Sequence, residues 1–306
     1  MTEAHESLPR FAPYEKGRFQ LTLGIKEIPV ADWIDVDGHY AEHMAEKKRL
    51  LDARHGEVFD GLPGSLPAQR ECLEAVLAHM SAHRPDLVAV EGGEIRTAWD
   101  GARLLRSAFE AAPLDLAGRL VQEDLCLMQP SDEGHRLIAA SLCFPARWRL
   151  ADKLGRPMSA IHDPVPGFND KLNRPVERFF GGIAEGQLYM RLNWSVIDDP
   201  TLFQATGHGR RERDPSITPQ NVSERLHIRI ERQTFRRLSG TGVLVFGIKT
   251  IVDPIAVVAN RPGLAAAMLG SLRTMPSDMQ GYKSMAPFVD PLETWLSQAA
   301  ETDSRP

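Results

Sequence analysis

The chain has 306 residues, room for one large domain or two ordinary ones, and its 42% hydrophobic and 25% charged content is that of a globular protein. With 36 basic and 41 acidic side chains the net charge is −5, which argues against nucleic acid as the main partner, because phosphate binding needs a basic face. No apolar run reaches the roughly 18–20 residues a bilayer span requires, no basic-then-apolar leader opens the chain, and Cys72, Cys126 and Cys143 read as reduced, buried thiols of a cytoplasmic protein.

Residues 1–18 are mixed, carry two prolines and are expected over the surface. Residues 30–54 read as helical, with Trp33, Tyr40, Met44, Leu50 and Leu51 as apolar members and Gly56 as the stop. A second helix starts at Ser65 as N-cap, with Pro67 in its first turn and Cys72, Leu73, Val76, Leu77 and Met80 as its stripe. A third helical stretch, 101–111, stops before Pro113. After residue 118 the period changes to two: Val121, Leu125 and Leu127 share a strand face, and the turn at residues 130–134 closes a hairpin with 136–144. From 145 to about 182 the pattern is helix and loop, punctuated by Pro157, Pro164, Pro166 and Pro175. Strands are expected at 187–197, 226–237 and 243–252, the last apolar on both faces as a central strand would be. Residues 205–223 are polar and read as an exposed, mobile loop, and two helices, 261–274 and 291–300, follow the strands. Five strands with adjacent hairpins give an α+β arrangement, an antiparallel sheet with helices on one face. Residues 1–112 form an N-terminal helical region packed on a core of 113–300, and 301–306 form a disordered tail. Strand and helix do not alternate, and neither G-x-G-x-x-G nor G-x-x-x-x-G-K-[ST] occurs, which argues against a parallel nucleotide-binding sheet.

Several local patterns could carry chemistry. His39-Tyr40-Ala41-Glu42-His43 matches H-x-x-E-H, which on a helix puts both imidazoles on one face for zinc, but the same residues describe a solvated helix face. Asp35-Val36-Asp37-Gly38 begins like a calcium loop and lacks the later acidic ligand. His162 stands ahead of Pro164 and Pro166, whose fixed φ stiffens the loop. Asp163 or a backbone carbonyl could hold its Nδ1–H and leave Nε2 free for a metal; the plain alternative is an imidazole that satisfies a loop carbonyl. Arg232 and Arg236 share a face with Ile228 and Ile230 and point to the packed side, where they need either a protein carboxylate or a bound anion. Arg147 and Trp148 at the mouth of the helical insertion, with Tyr189, Arg191 and Asn193 pointing together from a neighbouring strand, are candidate pocket linings.

Five blocks carry a resemblance: RLVQEDLCLM (119–128), SLCFPARW (141–148), IHDPVPGF (161–168), RLNWSV (191–196) and ERQTFRRLSGTGVLVFGIKT (231–250). In this order, within a span from LGIKEI near residue 23 to GYKSM near 281, the chain resembles the haem-dependent oxidative N-demethylase family. The resemblance implies a PAS-like fold, a five-stranded antiparallel sheet with helices inserted between its second and third strands. It also implies haem b as cofactor and oxidative demethylation of small secondary amines such as dimethylamine to a primary amine and formaldehyde. O2 and electrons would come in, the latter from a separate reductase subunit carrying flavin and an iron–sulfur cluster. The family's Ile-His-x-Pro-Val-Pro block falls on Ile161–Pro166 and makes His162 the expected proximal iron ligand; Cys126 and Cys143, inside apolar strand patterns, rank below it. Arg147, Trp148, Arg191, Asn193, Arg232 and Arg236 are the expected cofactor contacts, with Arg232 serving the propionates. A protonated amine favours a carboxylate or an aromatic face, which makes Tyr189 and Glu231 the candidate catalytic groups. Phe235, where leucine is expected, and Ser239-Gly240, where a proline-containing turn is expected, depart from the family pattern away from the ligand block. The alternative is a PAS-like haem sensor without turnover; the chain shows no kinase, cyclase or DNA-binding pattern that such a sensor would drive.

Overall fold

The computed structural model describes residues 8–303. Its strands are β1 (Lys26–Glu27), β2 (Phe59–Gly61), β3 (Val88–Glu91), β4 (Glu94–Thr97), β5 (Arg103–Leu105), β6 (Asp124–Gln129), β7 (Arg136–Ser141), β8 (Leu188–Ile197), β9 (His227–Arg237) and β10 (Leu244–Pro254). Its helices are α1 (Tyr40–Ala53), α2 (His55–Val58), α3 (Leu66–His83), α4 (Pro113–Gly118), α5 (Met158–Ile161), α6 (Phe168–Lys171), α7 (Asn173–Gly182), α8 (Val222–Arg225), α9 (Leu264–Arg273), α10 (Ser277–Tyr282) and α11 (Val289–Asp303). Seven strands form an antiparallel sheet in the order β1-β8-β9-β10-β6-β7-β2, and β3, β4 and β5 form a separate small sheet. This is an α+β architecture. The five long strands come as a hairpin, a helical excursion and three more strands, and the first pairs with the last at the centre of the sheet.

Alternation along these strands divides two environments. On one face the even residues of β9 and the odd residues of β6 and β10 meet two apolar clusters. One is built on α3 and α4 with Trp33, the other on α9 and α11. On the other face Cys126, Met128, Phe235 and Ile248 pack against Phe168, Leu172, Val176 and Phe180 from the 145–182 excursion. Helical cover therefore lies on both faces, not on one as the strand pattern alone suggested.

Three local expectations give way to the structure. The stretch 101–111 is not a helix: it contributes β5 and a 3-10 turn, Arg106–Phe109. Pro113 does not end a helix but opens α4, where its absent N–H would have had no intrahelical partner. The helix at the C-terminus runs on through Asp303, where a tail had been expected from 301; residues 304–306, like 1–7, lie outside the described residues. The N-terminal segment does more than lie over the surface: Tyr14 is buried against Trp194, with ring centroids 5.3 Å apart. Among the described residues no helix is long and apolar enough to cross a membrane.

Candidate functional site

Between the sheet and the 145–182 excursion lies a cavity of about 570 Å³, within the ~300–1,000 Å³ range of small-molecule and cofactor sites. Its sheet wall includes Arg191 and Asn193 from β8, Arg229, Glu231, Gln233 and Phe235 from β9, and Phe246 and Ile248 from β10. The excursion supplies Arg147, Trp148, His162, Val176, Phe179 and Phe180, and residues 18–26 and 282–284 complete the rim. One end is aromatic: the Phe235 and Phe246 rings stack 5.0 Å apart and Phe179 meets Phe235 edge-on at 5.8 Å.

His162 caps the end of α5, a short helix, where a stiff loop had been expected. Its Nδ1 lies 3.0 Å from the Met158 carbonyl, so Nδ1–H donates there and the lone pair stays on Nε2. The ring lies parallel to Phe168 at 4.3 Å. Burial pushes its pKa down to about 4, with Lys153 and Arg191 acting in the same sense, so the imidazole is neutral at any ordinary pH. Of the two orienting groups the sequence offered, it is the carbonyl that holds Nδ1–H; Asp163 instead accepts from Asn169 Nδ2 at 3.3 Å. A neutral imidazole with a fixed tautomer and an uncommitted Nε2 is what a metal ligand requires.

Charge is distributed unevenly here. Eight cationic side chains line the cavity (Lys16, Arg18, Lys26, Arg147, Lys153, Arg191, Arg229 and Lys283), and Glu231 is the one lining carboxylate among the described residues. Arg147 adopts φ 64°, a left-handed backbone rare for a bulky residue. It is held by its N–H to the Gln204 carbonyl at 2.7 Å, and Nη2 reaches Asp198 at 2.5 Å. Three buried guanidinium N–H groups of the lining, Arg147 Nη1, Arg191 Nε and Arg229 Nε, have no protein partner. Burial lowers the pKa of Arg191 and of Arg229. Buried guanidinium donors left free suit an anion, and carboxylates match guanidinium geometry. Glu231 accepts from Asn193 Nδ2 at 3.3 Å and from Gln233 Nε2 at 2.9 Å, both on Oε2, which leaves Oε1 to a ligand.

The family model described as haem-dependent oxidative N-demethylase, alpha subunit-like, matches residues 24–292. The chain belongs to that family. Haem is then the cofactor against which the cavity is to be judged, and the residues suit it. An apolar and aromatic lining, an imidazole with an uncommitted Nε2 and free guanidinium donors are groups that could hold an iron porphyrin and its carboxylates.

Not every expected contact reaches the cavity. Arg232 and Arg236 lie on the opposite sheet face: Arg232 donates to the backbone carbonyls of Trp33, at 3.1 Å, and Asp32, and Arg236 lies over the Trp33 ring at 4.2 Å. Their contacts are with the Asp32–Trp33 segment, and the Glu71 charge also acts on Arg236. Tyr189 meets Phe179 edge-on at 5.1 Å and stands behind the lining. Arg147, Trp148, His162, Arg191, Asn193 and Glu231 are brought together. The zinc and calcium patterns dissolve into structure: His43 is buried and accepts from Gln122 Nε2 at 3.0 Å, while Asp35 and Asp37 grip the buried Lys249 at 3.0 and 2.8 Å. No group of three metal-capable side chains occurs among the described residues. Sequence reasoning overlooked Arg229, Gln233, Phe179, Phe180 and Lys283. Strand alternation from Glu231 would have found the first two, and Lys283 sits inside the GYKSM block.

Proposed function

We propose that the chain is the haem b-binding subunit of an oxidative N-demethylase acting on a small secondary amine of the dimethylamine type. With O2 and electrons from a flavin and iron–sulfur reductase partner it yields the primary amine and formaldehyde, as a monooxygenase. The observation that carries this reading is His162, neutral, with Nδ1–H committed to Met158 and Nε2 uncommitted at the cavity. In this reading the five long strands are a PAS-like core and the region up to residue 112 is packed on it. A cytoplasmic setting suits the three free, buried cysteines.

Bound haem supplies oxygen activation at its iron. The chain's own residues do the rest. His162 Nε2 would hold the iron, and Phe168, stacked on the His162 ring, fixes the plane of that ring. Arg147, Arg191 and Arg229 would take the propionates through donors that protein acceptors leave free. Phe179, Phe235 and Phe246 keep water from the slot. Glu231 Oε1 receives the ammonium of the amine, while Asn193 and Gln233 hold Oε2 and so fix the carboxylate plane.

The purified protein is expected to show a Soret band that His162→Ala abolishes or shifts strongly, and to release formaldehyde from dimethylamine only with a reductase present. An unchanged spectrum in His162→Ala refutes the ligand assignment. Amine binding without turnover under every electron source favours the sensor alternative.

A further inference from the structure

Lys283 follows α10 directly and has no part in the reading above. Its Nζ donates to Asn193 Oδ1 at 3.2 Å and to the Trp194 carbonyl at 2.6 Å. An ammonium carries three donors. One N–H is therefore left over on a side chain that lines the cavity. The backbone that presents it is unusual: Ser284, next in sequence and 1% exposed, has φ 56°, a left-handed conformation that a non-glycine residue keeps only when its surroundings impose it. Those surroundings are the Gly209 N–H, which donates to Ser284 Oγ at 2.9 Å, and the Gly281 carbonyl, which accepts from Ser284 N–H at 3.0 Å.

The groups around Lys283 divide by chemistry. Glu231 on β9 offers Oε1 as an acceptor, Arg191 on β8 offers an unpartnered Nε–H, Tyr282 on α10 lines the same wall, and His208 packs edge-on against Tyr282 at 4.9 Å. This wall belongs to the sheet and α10, whereas His162 comes from the helical excursion.

We propose that Lys283 is a hydrogen-bond donor to a small diatomic ligand held on the cofactor opposite His162, so that one wall presents a carboxylate to the amine and a cation to the oxygen ligand. This rests on the haem reading above. Burial lowers the Lys283 pKa to about 8, which keeps the group cationic at neutral pH yet within reach of titration. A cation beside a polarised diatomic ligand stabilises negative charge on its outer atom.

The test is the infrared C–O stretch of the ferrous carbon monoxide complex, which reports charge near the outer atom without any turnover. Lys283→Met is expected to move the stretch to higher wavenumber, and Lys283→Arg, which keeps charge and donors, to hold it near the wild-type value. Should Lys283→Met fail to retain haem, wild type itself decides. Its stretch is expected to rise between pH 7 and 9.5 as the ammonium loses its proton, and to stay flat in Lys283→Arg. A stretch that ignores both the Met substitution and the pH overturns the proposal. Absence of any carbon monoxide complex would instead overturn the haem reading, so the two failures are told apart.

Discussion

Acid should unfold this protein through its buried histidines, and two of them make the effect measurable. His43 and His79 are 7% and 6% exposed, and burial pushes the pKa of each from the ordinary 6.5 down to about 4. Between those values the unfolded chain takes up a proton that the folded chain refuses, so stability falls as pH falls across that window. The slope is about 1.4 kcal/mol per pH unit per histidine, or roughly 2 kcal/mol each from pH 6.5 to 4.5 once half-titration at the upper end is allowed for. Two neighbouring carboxyls work in the opposite direction: burial raises the pKa of Glu123 and Asp124, and acid favours their folded forms. Asp35 and Asp37, whose pKa values are lowered, begin to lose their contribution only below about the ordinary 3.8. The assay is therefore a difference. Urea unfolding of wild type and of His43→Gln/His79→Gln is followed at half-unit steps from pH 7.5 to 4.5. Wild type should lose about 4 kcal/mol more than the double variant over the lower two units, the two sites adding because they share no partner. Parallel pH profiles for the two proteins would refute the argument that these imidazoles are held neutral.

Three further outcomes follow from single contacts. Arg191→Met removes a buried guanidinium with a free donor, and haem transfer to excess apomyoglobin should quicken by about tenfold, the worth of one charge-assisted hydrogen bond; an unchanged rate would take Arg191 away from the propionates. Gly270→Ala would set a Cβ 2.4 Å from the Gly17 carbonyl oxygen, and since that neighbour is backbone, thermal unfolding should report a loss of about 1–3 kcal/mol. Lys249→Met leaves Asp35 and Asp37 without the ammonium between them and should cost ~3–5 kcal/mol in urea unfolding, while Lys249→Met/Asp35→Asn/Asp37→Asn recovers a good part of it.

The long strands were legible because each has a regular period and a turn at its end. Leu188 to Val196 on one face and Tyr189 to Ser195 on the other describe β8 as it stands, and the register with β9 places Arg191 beside Gln233 and Asn193 beside Glu231. What the pattern could not say is which face of β9 meets the cavity. Both faces of that strand are covered, so Arg232 among the even residues and Glu231 among the odd ones each read as inward. Only the tertiary placement of Trp33 beneath Arg232 decides it. Pro113 was ambiguous for a related reason: the same missing N–H that stops one helix starts another. Residues 13–26 gave no periodic signal because they follow the rim of the cavity and the sheet edge, with β1 only two residues long.

The two faces of the sheet also differ in how they treat charge, and the difference bears on function. On the face away from the cavity Lys249, fully buried, is bracketed by two carboxylates and by the Asp35 carbonyl at 2.6 Å. That cation is answered by the protein itself, which is what stability requires of buried charge. On the cavity side three guanidinium N–H groups, of Arg147, Arg191 and Arg229, have no protein partner. Selection for stability alone has no reason to keep such groups, since apolar residues of equal volume would pack the space at lower cost. Their place beside an imidazole whose Nδ1–H is committed to Met158 is what the proposed anionic, iron-bearing cofactor would use. Arg191→Met should on this view weaken the cofactor while leaving the apoprotein as stable or more so, the reverse of what Lys249→Met does, and urea unfolding of the two apo variants side by side reads the difference directly.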